Sequence, residues 1–93
     1  MIKSFRDAET EKVFNRRFSR RLPPDIQAVA LRKLRMISNA VGLDDLRSPP
    51  GDRLEQLSGD RQGMYSVRIS DQWRICFTWR EGDVYDVEIC DYH

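Results

Sequence analysis

From Tyr65 to Cys90 the chain alternates between apolar and polar positions with almost no break. Tyr65, Val67 and Ile69 alternate with Ser66, Arg68 and Ser70. Trp73, Ile75, Phe77 and Trp79 alternate with Arg74, Cys76, Thr78 and Arg80. Tyr85, Val87 and Ile89 alternate with Asp86, Glu88 and Cys90. A period of two over segments this long predicts three half-buried strands. Ser70-Asp71-Gln72 and Glu81-Gly82-Asp83 are short enough to join them as an antiparallel meander. Upstream the period changes. Ile26, Ala30, Leu34, Ile37 and Val41 recur every three or four residues, which predicts a helix opened by Pro23-Pro24-Asp25 and stopped at Gly42. A first helix is predicted after Asp7, with Glu9 and Glu11 near its positive end. Val13, Phe14 and Phe18 form its apolar stripe, and it ends near Ser19. Ile2 to Phe5 suits a short edge strand. Residues 43–63, with Ser48-Pro49-Pro50-Gly51 and Ser58-Gly59-Asp60, read as an irregular connection that Leu54 and Leu57 pin to the core. The pattern predicts an α+β domain, two N-terminal helices packed on one face of a mainly antiparallel sheet.

Ninety-three residues suit one domain spanning 1–93 and no more. No apolar run approaches the roughly 20 residues of a membrane-spanning helix, and the opening lacks the apolar stretch of a secretory signal. The expectation is a cytoplasmic protein without membrane contact. Cys76 and Cys90 are the two cysteines, both in strands and without metal-motif spacing, which predicts reduced structural thiols. The net charge of +1 conceals an asymmetry. Residues 1–47 carry eleven Lys/Arg against six Asp/Glu, and residues 48–93 carry five against nine. Thirteen of the sixteen cations are arginine, whose planar fork fits phosphates and carboxylates. Arg16, Arg17, Arg20, Arg21, Arg32 and Lys33 could therefore meet RNA, meet an acidic protein surface, or be solvated.

The sheet face opposite the helices carries Arg68, Arg74 and Arg80. A sheet face that simply meets water has the same pattern, and pairing with Asp86 and Glu88 could occupy some of these arginines. Arg68 and Arg74 flank a tight turn, so they could converge on one phosphate. The last strand runs out into Asp91-Tyr92-His93, with the chain's one histidine. Attack of a ribose 2′-hydroxyl on its phosphate requires a group that takes the 2′ proton. It also requires a cation for the charge on phosphorus and an acid for the leaving 5′ oxygen. Asp91, Tyr92 and His93 are candidate proton carriers, and Arg74 with Arg68 the candidate clamp. No cofactor and no metal are expected.

Gly59-Asp60-Arg61 followed by Gly63, then Asp71-Gln72-Trp73-Arg74-Ile75-Cys76-Phe77, then Asp91-Tyr92-His93 resemble motifs of one family. These are the HigB toxins of bacterial type II toxin–antitoxin systems, within the RelE/ParE superfamily. Ile2-Lys3-Ser4-Phe5 is similar to the family's start. Ser48-Pro49-Pro50-Gly51-Asp52-Arg53-Leu54-Glu55 resembles one subgroup. The resemblance implies a RelE-like single domain and a ribosome-dependent mRNA endoribonuclease. It also implies a HigA-type helix-turn-helix antitoxin, through which the pair would bind operator DNA. It places catalytic roles on Arg74, Asp91, Tyr92 and His93, with RNA contacts at Arg53, Arg61 and Arg68. The family's second histidine and its lysine fall on Glu55 and Ser58, which makes Glu55 an auxiliary candidate. That departure favours an alternative, a toxin of the same fold that binds the ribosome or another host target and cleaves little or nothing. A gyrase inhibitor like the ParE branch ranks below both.

Overall fold

The computed structural model describes residues 1–47, 53–57 and 63–91. Helix α1 spans Ala8–Phe14 and helix α2 spans Pro24–Asn39. A single 3-10 turn follows at Leu43–Leu46. The strands are β1 (Glu55–Gln56), β2 (Met64–Arg68), β3 (Trp73–Arg80) and β4 (Asp83–Asp91), ordered β1-β2-β3-β4 and antiparallel throughout.

Asp7 caps α1 as expected: its carboxylate accepts the Thr10 N–H at 2.7 Å. The helix is shorter than its apolar stripe predicts. Arg16 adopts φ 63° and Arg17 N–H returns to the Lys12 carbonyl at 2.8 Å. This left-handed step ends the helix, so Phe18 falls outside it and is 63% exposed. In α2 the stripe Ile26, Ala30, Leu34 and Ile37 is buried as predicted. Val41 is not part of it. The helix stops at Asn39, Ala40 turns extended (ψ 135°), and Val41 is 85% exposed. The Asp45 carboxylate accepts the Val41 and Gly42 N–H groups, and these bonds hold its pKa below the usual aspartate value.

The helices cover one face of the sheet. Leu34, Ile37, Leu46, Val67, Ile75, Phe77, Val84 and Val87 are fully buried between the layers; each such side chain contributes about 1.5–3 kcal/mol relative to exposure. Lys33 also points inward, 8% exposed, with its ammonium donating to the Arg68 carbonyl. It ties α2 to the end of β2, and the reading of Lys33 as a surface cation is corrected. The segment read as an irregular connection contains β1, which pairs Glu55 with Ser66 and Gln56 with Tyr65.

Strand β4 departs from simple alternation. Its register with β3 shifts between Cys76 and Thr78, where Asp86 takes φ 53°. This bulge puts Val84 and Val87 on the helix side. Tyr85, expected there, instead pairs with Thr78 and lies under the Arg80 guanidinium at 5.1 Å. The N-terminal segment closes the free edge of β4, as its strand-like pattern suggests, through parallel bridges Ile2–Val84 and Phe5–Val87. Ile89 N–H on the same edge donates to the Thr10 hydroxyl at 2.9 Å.

Candidate functional site

Pairing of β2 with β3 sets Arg68 opposite Arg74, and pairing of β3 with β4 sets Arg74 opposite Cys90 and Trp73 opposite Asp91. The two arginines do not converge. Arg68 folds onto Asp71 across the turn, forming an ion pair at the surface. Arg74 reaches the other way. It is 5% exposed; its Nε donates to Ser66 Oγ at 2.8 Å and its Nη2 to the Arg53 carbonyl at 2.7 Å. Its Nη1 lies 3.8 Å from Glu55 Oε1. A buried guanidinium must take acceptors wherever they are nearest, and here they come from β2 and the entry to β1. The cation therefore latches β1 to the sheet, and holds a carboxylate that is half exposed beside it.

Arg53 enters β1 with φ 45°, a conformation that costs a non-glycine residue about 1–3 kcal/mol. The Arg74 bond to its carbonyl offsets part of that cost. With Arg47, Leu54, Gln56 and Tyr65, Arg53 lines a cleft of 360 Å³ on the helix side of β1. Tyr65 is held there by stacking on Phe77, 6.2 Å between centroids. Arg47, Gln56 and Tyr65 were not among the residues singled out from sequence. Gln56 and Tyr65 become neighbours only through β1, which carries no alternation of its own.

Asp91 is exposed at the end of β4, where its carboxylate accepts the Gln72 amide at 3.1 Å. Because it pairs with Trp73, one step from Arg74, strand alternation assigns Asp91 and Arg74 to opposite faces of the sheet. Arg61, Tyr92 and His93 lie outside the described residues, as does Ser58. The acids that could have paired with the sheet arginines include Glu88, which meets Arg6 at 3.5 Å, and Arg80 rests on Tyr85.

Neither Cys76 nor Cys90 is in a disulfide. A hydrogen bond with Cys76, followed by burial, pushes the Cys90 thiol well above the ordinary range. Such a thiol stays protonated and unreactive, as the reading of structural cysteines expects.

A domain of two helices on a four-stranded antiparallel sheet, closed by an N-terminal segment, is the RelE-like toxin architecture. The YoeB dimer from Staphylococcus aureus shares it, with a TM-score of 0.61 at 20% identity, over 99% of this chain and 94% of that one. The family model described as "RelE-like toxin of type II toxin-antitoxin system HigB" matches residues 3–93, and the chain belongs to that family. Toxin HigB-1 of Vibrio cholerae serotype O1 is 35% identical over 83 residues, covering 88% of this chain and 87% of the relative. Endoribonuclease HigB of Proteus vulgaris is 32% identical over 94 residues and the full length of both. Membership in a toxin–antitoxin family implies an antitoxin partner. Among the described residues no helix is long and apolar enough to cross a membrane.

Proposed function

We propose that this toxin is a ribosome-dependent endoribonuclease that cuts mRNA during translation in the cytoplasm, without a metal ion. A HigA-type helix-turn-helix antitoxin would neutralise it, and the pair would bind operator DNA. The observation that carries the reading is the full-length match to a relative named as an endoribonuclease. The residues that motivate it are Asp91, at the exposed end of β4, and the Tyr92-His93 that follow.

In the proposed reaction the ribose 2′ oxygen forms a bond to the adjacent phosphorus while the bond to the 5′ oxygen breaks. One group among Tyr92, His93 and Glu55 takes the 2′ proton, and a second returns one to the leaving oxygen; Asp91 lies on the sheet face opposite Arg74 and Glu55. The products are a cyclic phosphate and a 5′-hydroxyl. Arg53, Arg61 and Arg68 contribute charge along the RNA. Arg74 supports the site from beneath, through Arg53 and Glu55, and stabilises the phosphate charge where its guanidinium edge is reached.

One observation favours a second reading. The cation expected to clamp phosphate is buried and bonded to Ser66 and Arg53, and Glu55 stands where the family's second histidine falls. A toxin that arrests growth by binding, with little cleavage, fits that arrangement.

Ribosome-programmed mRNA, mapped by primer extension, separates the two. Cuts that require the ribosome and vanish in a Tyr92→Ala/His93→Ala variant are expected. Growth arrest by the wild-type protein without any cuts would reject the nuclease and leave the binding toxin.

A further inference from the structure

Helix α2 has a second stripe besides the one in the core. Ala28, Leu31 and Arg35 lie at helical spacing on a face turned away from the sheet, and together with α1 and its exit they border a hollow of 530 Å³. The hollow is lined by the apolar side chains of Val13, Phe18, Ala28 and Leu31, by Gln27, and by Arg16, Arg17 and Arg35. No carboxylate pairs with any of these three arginines among the described residues.

The exposure of Phe18 is built into the turn. The neighbouring Ser19 is fully buried. Its N–H donates to Gln27 Oε1 at 3.0 Å, and its carbonyl accepts from Gln27 Nε2 at 2.7 Å. Its hydroxyl donates to Glu9 at 2.6 Å, and this bond is the first cause of the lowered Glu9 pKa. With Ser19 held on both sides by one amide, the adjoining ring is presented to solvent on a fixed backbone. An exposed aromatic ring at an apolar hollow, among arginines that no described carboxylate pairs, has the composition of a protein-binding surface.

The geometry points to this groove as the docking site for an acidic amphipathic helix of the antitoxin, whose apolar residues fill the hollow while its carboxylates meet Arg16, Arg17 and Arg35. The inference rests on the toxin–antitoxin reading and adds the surface and the chemistry of the partner. The apolar part of the lining, Val13, Ala28 and Leu31, offers an RNA no hydrogen bond, whereas a helix laid in a groove inserts apolar side chains at this spacing and sets its polar edge against the arginines. A second copy of the chain on a symmetric contact would set arginine against arginine. The groove is on the helix layer, so an occupant leaves the outer sheet face with Glu55 uncovered.

The test titrates the antitoxin encoded beside the toxin gene, by calorimetry, against full-length wild type, Phe18→Asp and Arg17→Glu/Arg35→Glu. Weakening by about 30-fold or more for Phe18→Asp is expected, as for loss of a central anchor. The double reversal is expected to lose about 10-fold and much of its salt dependence. Binding of both variants within about threefold of wild type would overturn the docking site while leaving the toxin–antitoxin pair intact. Failure of wild type to bind at all would overturn the pair itself. Variants that keep the antitoxin but lose ribosome binding, or lose a dimer seen by light scattering, would reassign the groove to RNA or to self-association. Hydrogen exchange on the wild-type complex needs no variant. Slowed exchange over residues 13–35 is expected, and unchanged exchange there would overturn the proposal even if a variant misfolds.

Discussion

Arg74 shows how one side chain takes on a different task in three dimensions from the one its position in a strand suggests. On an alternating strand it counts as an outward-facing cation. In the fold its guanidinium is covered, and it joins Ser66, the Arg53 carbonyl and Glu55. Charge-assisted hydrogen bonds of this kind are worth about 1.5–3 kcal/mol each when a partner is removed. Arg74→Ala is therefore expected to lower unfolding stability by about 2–4 kcal/mol in urea melts, as well as reducing toxicity. Arg74→Lys is expected to recover little of it, because a compact ammonium lacks the planar fork that reaches Ser66 through Nε and the Arg53 carbonyl through Nη2. Toxicity lost with stability unchanged would show that Arg74 acts on the ligand alone. The position was legible from sequence as a candidate. Its burial was not, because the groups that cover it come from a segment without periodicity.

At the scale of elements, β2, β3, β4 and both helices follow from their hydrophobic periods, β1 does not, and the departures within the predicted elements occur where backbone geometry changes. Alpha-1 stops at Phe14 because Arg16 turns left-handed, and β4 flips Tyr85 outward because Asp86 does the same. The hairpin between β3 and β4 is a further case. Glu81 and Gly82 both have positive φ, 52° and 84°, the geometry of a tight two-residue turn matched to strand twist. Glycine adopts it freely, whereas glutamate bears a cost of about 1–2 kcal/mol. Glu81→Asn is expected to raise the midpoint of thermal unfolding and to add about 0.5–1 kcal/mol. A loss of stability would mean that the glutamate side chain contributes more than its backbone strain removes.

For the molecule as a whole, the sheet is finished by the first residues of the chain. Lys3, Ser4 and Arg6 exchange backbone hydrogen bonds with Val84 and Val87 between 2.7 and 3.1 Å, covering an edge that would otherwise offer its N–H and C=O groups to another chain. Removing residues 1–5 is expected to lower the unfolding midpoint and to produce concentration-dependent assemblies in light scattering. A truncated protein that stays monomeric would show that the outer edge of β4 is protected by its bulge alone. The alternation of Tyr65 to Cys90 and the stripe of α2 were enough, from sequence alone, to predict an α+β domain, and Gly59-Asp60-Arg61, Asp71 to Phe77 and Asp91-Tyr92-His93 together carried its resemblance to the HigB family, because period and short motifs are local properties. Which charges are buried, and which faces they share, depended on contacts between segments far apart in the chain. Lys33 holds Arg68 across 35 positions, Arg74 holds Arg53 across 21, and Gln27 fixes the turn that exposes Phe18. A polar side chain settles on whichever acceptor the packed elements bring nearest, and only the tertiary structure decides which one that is.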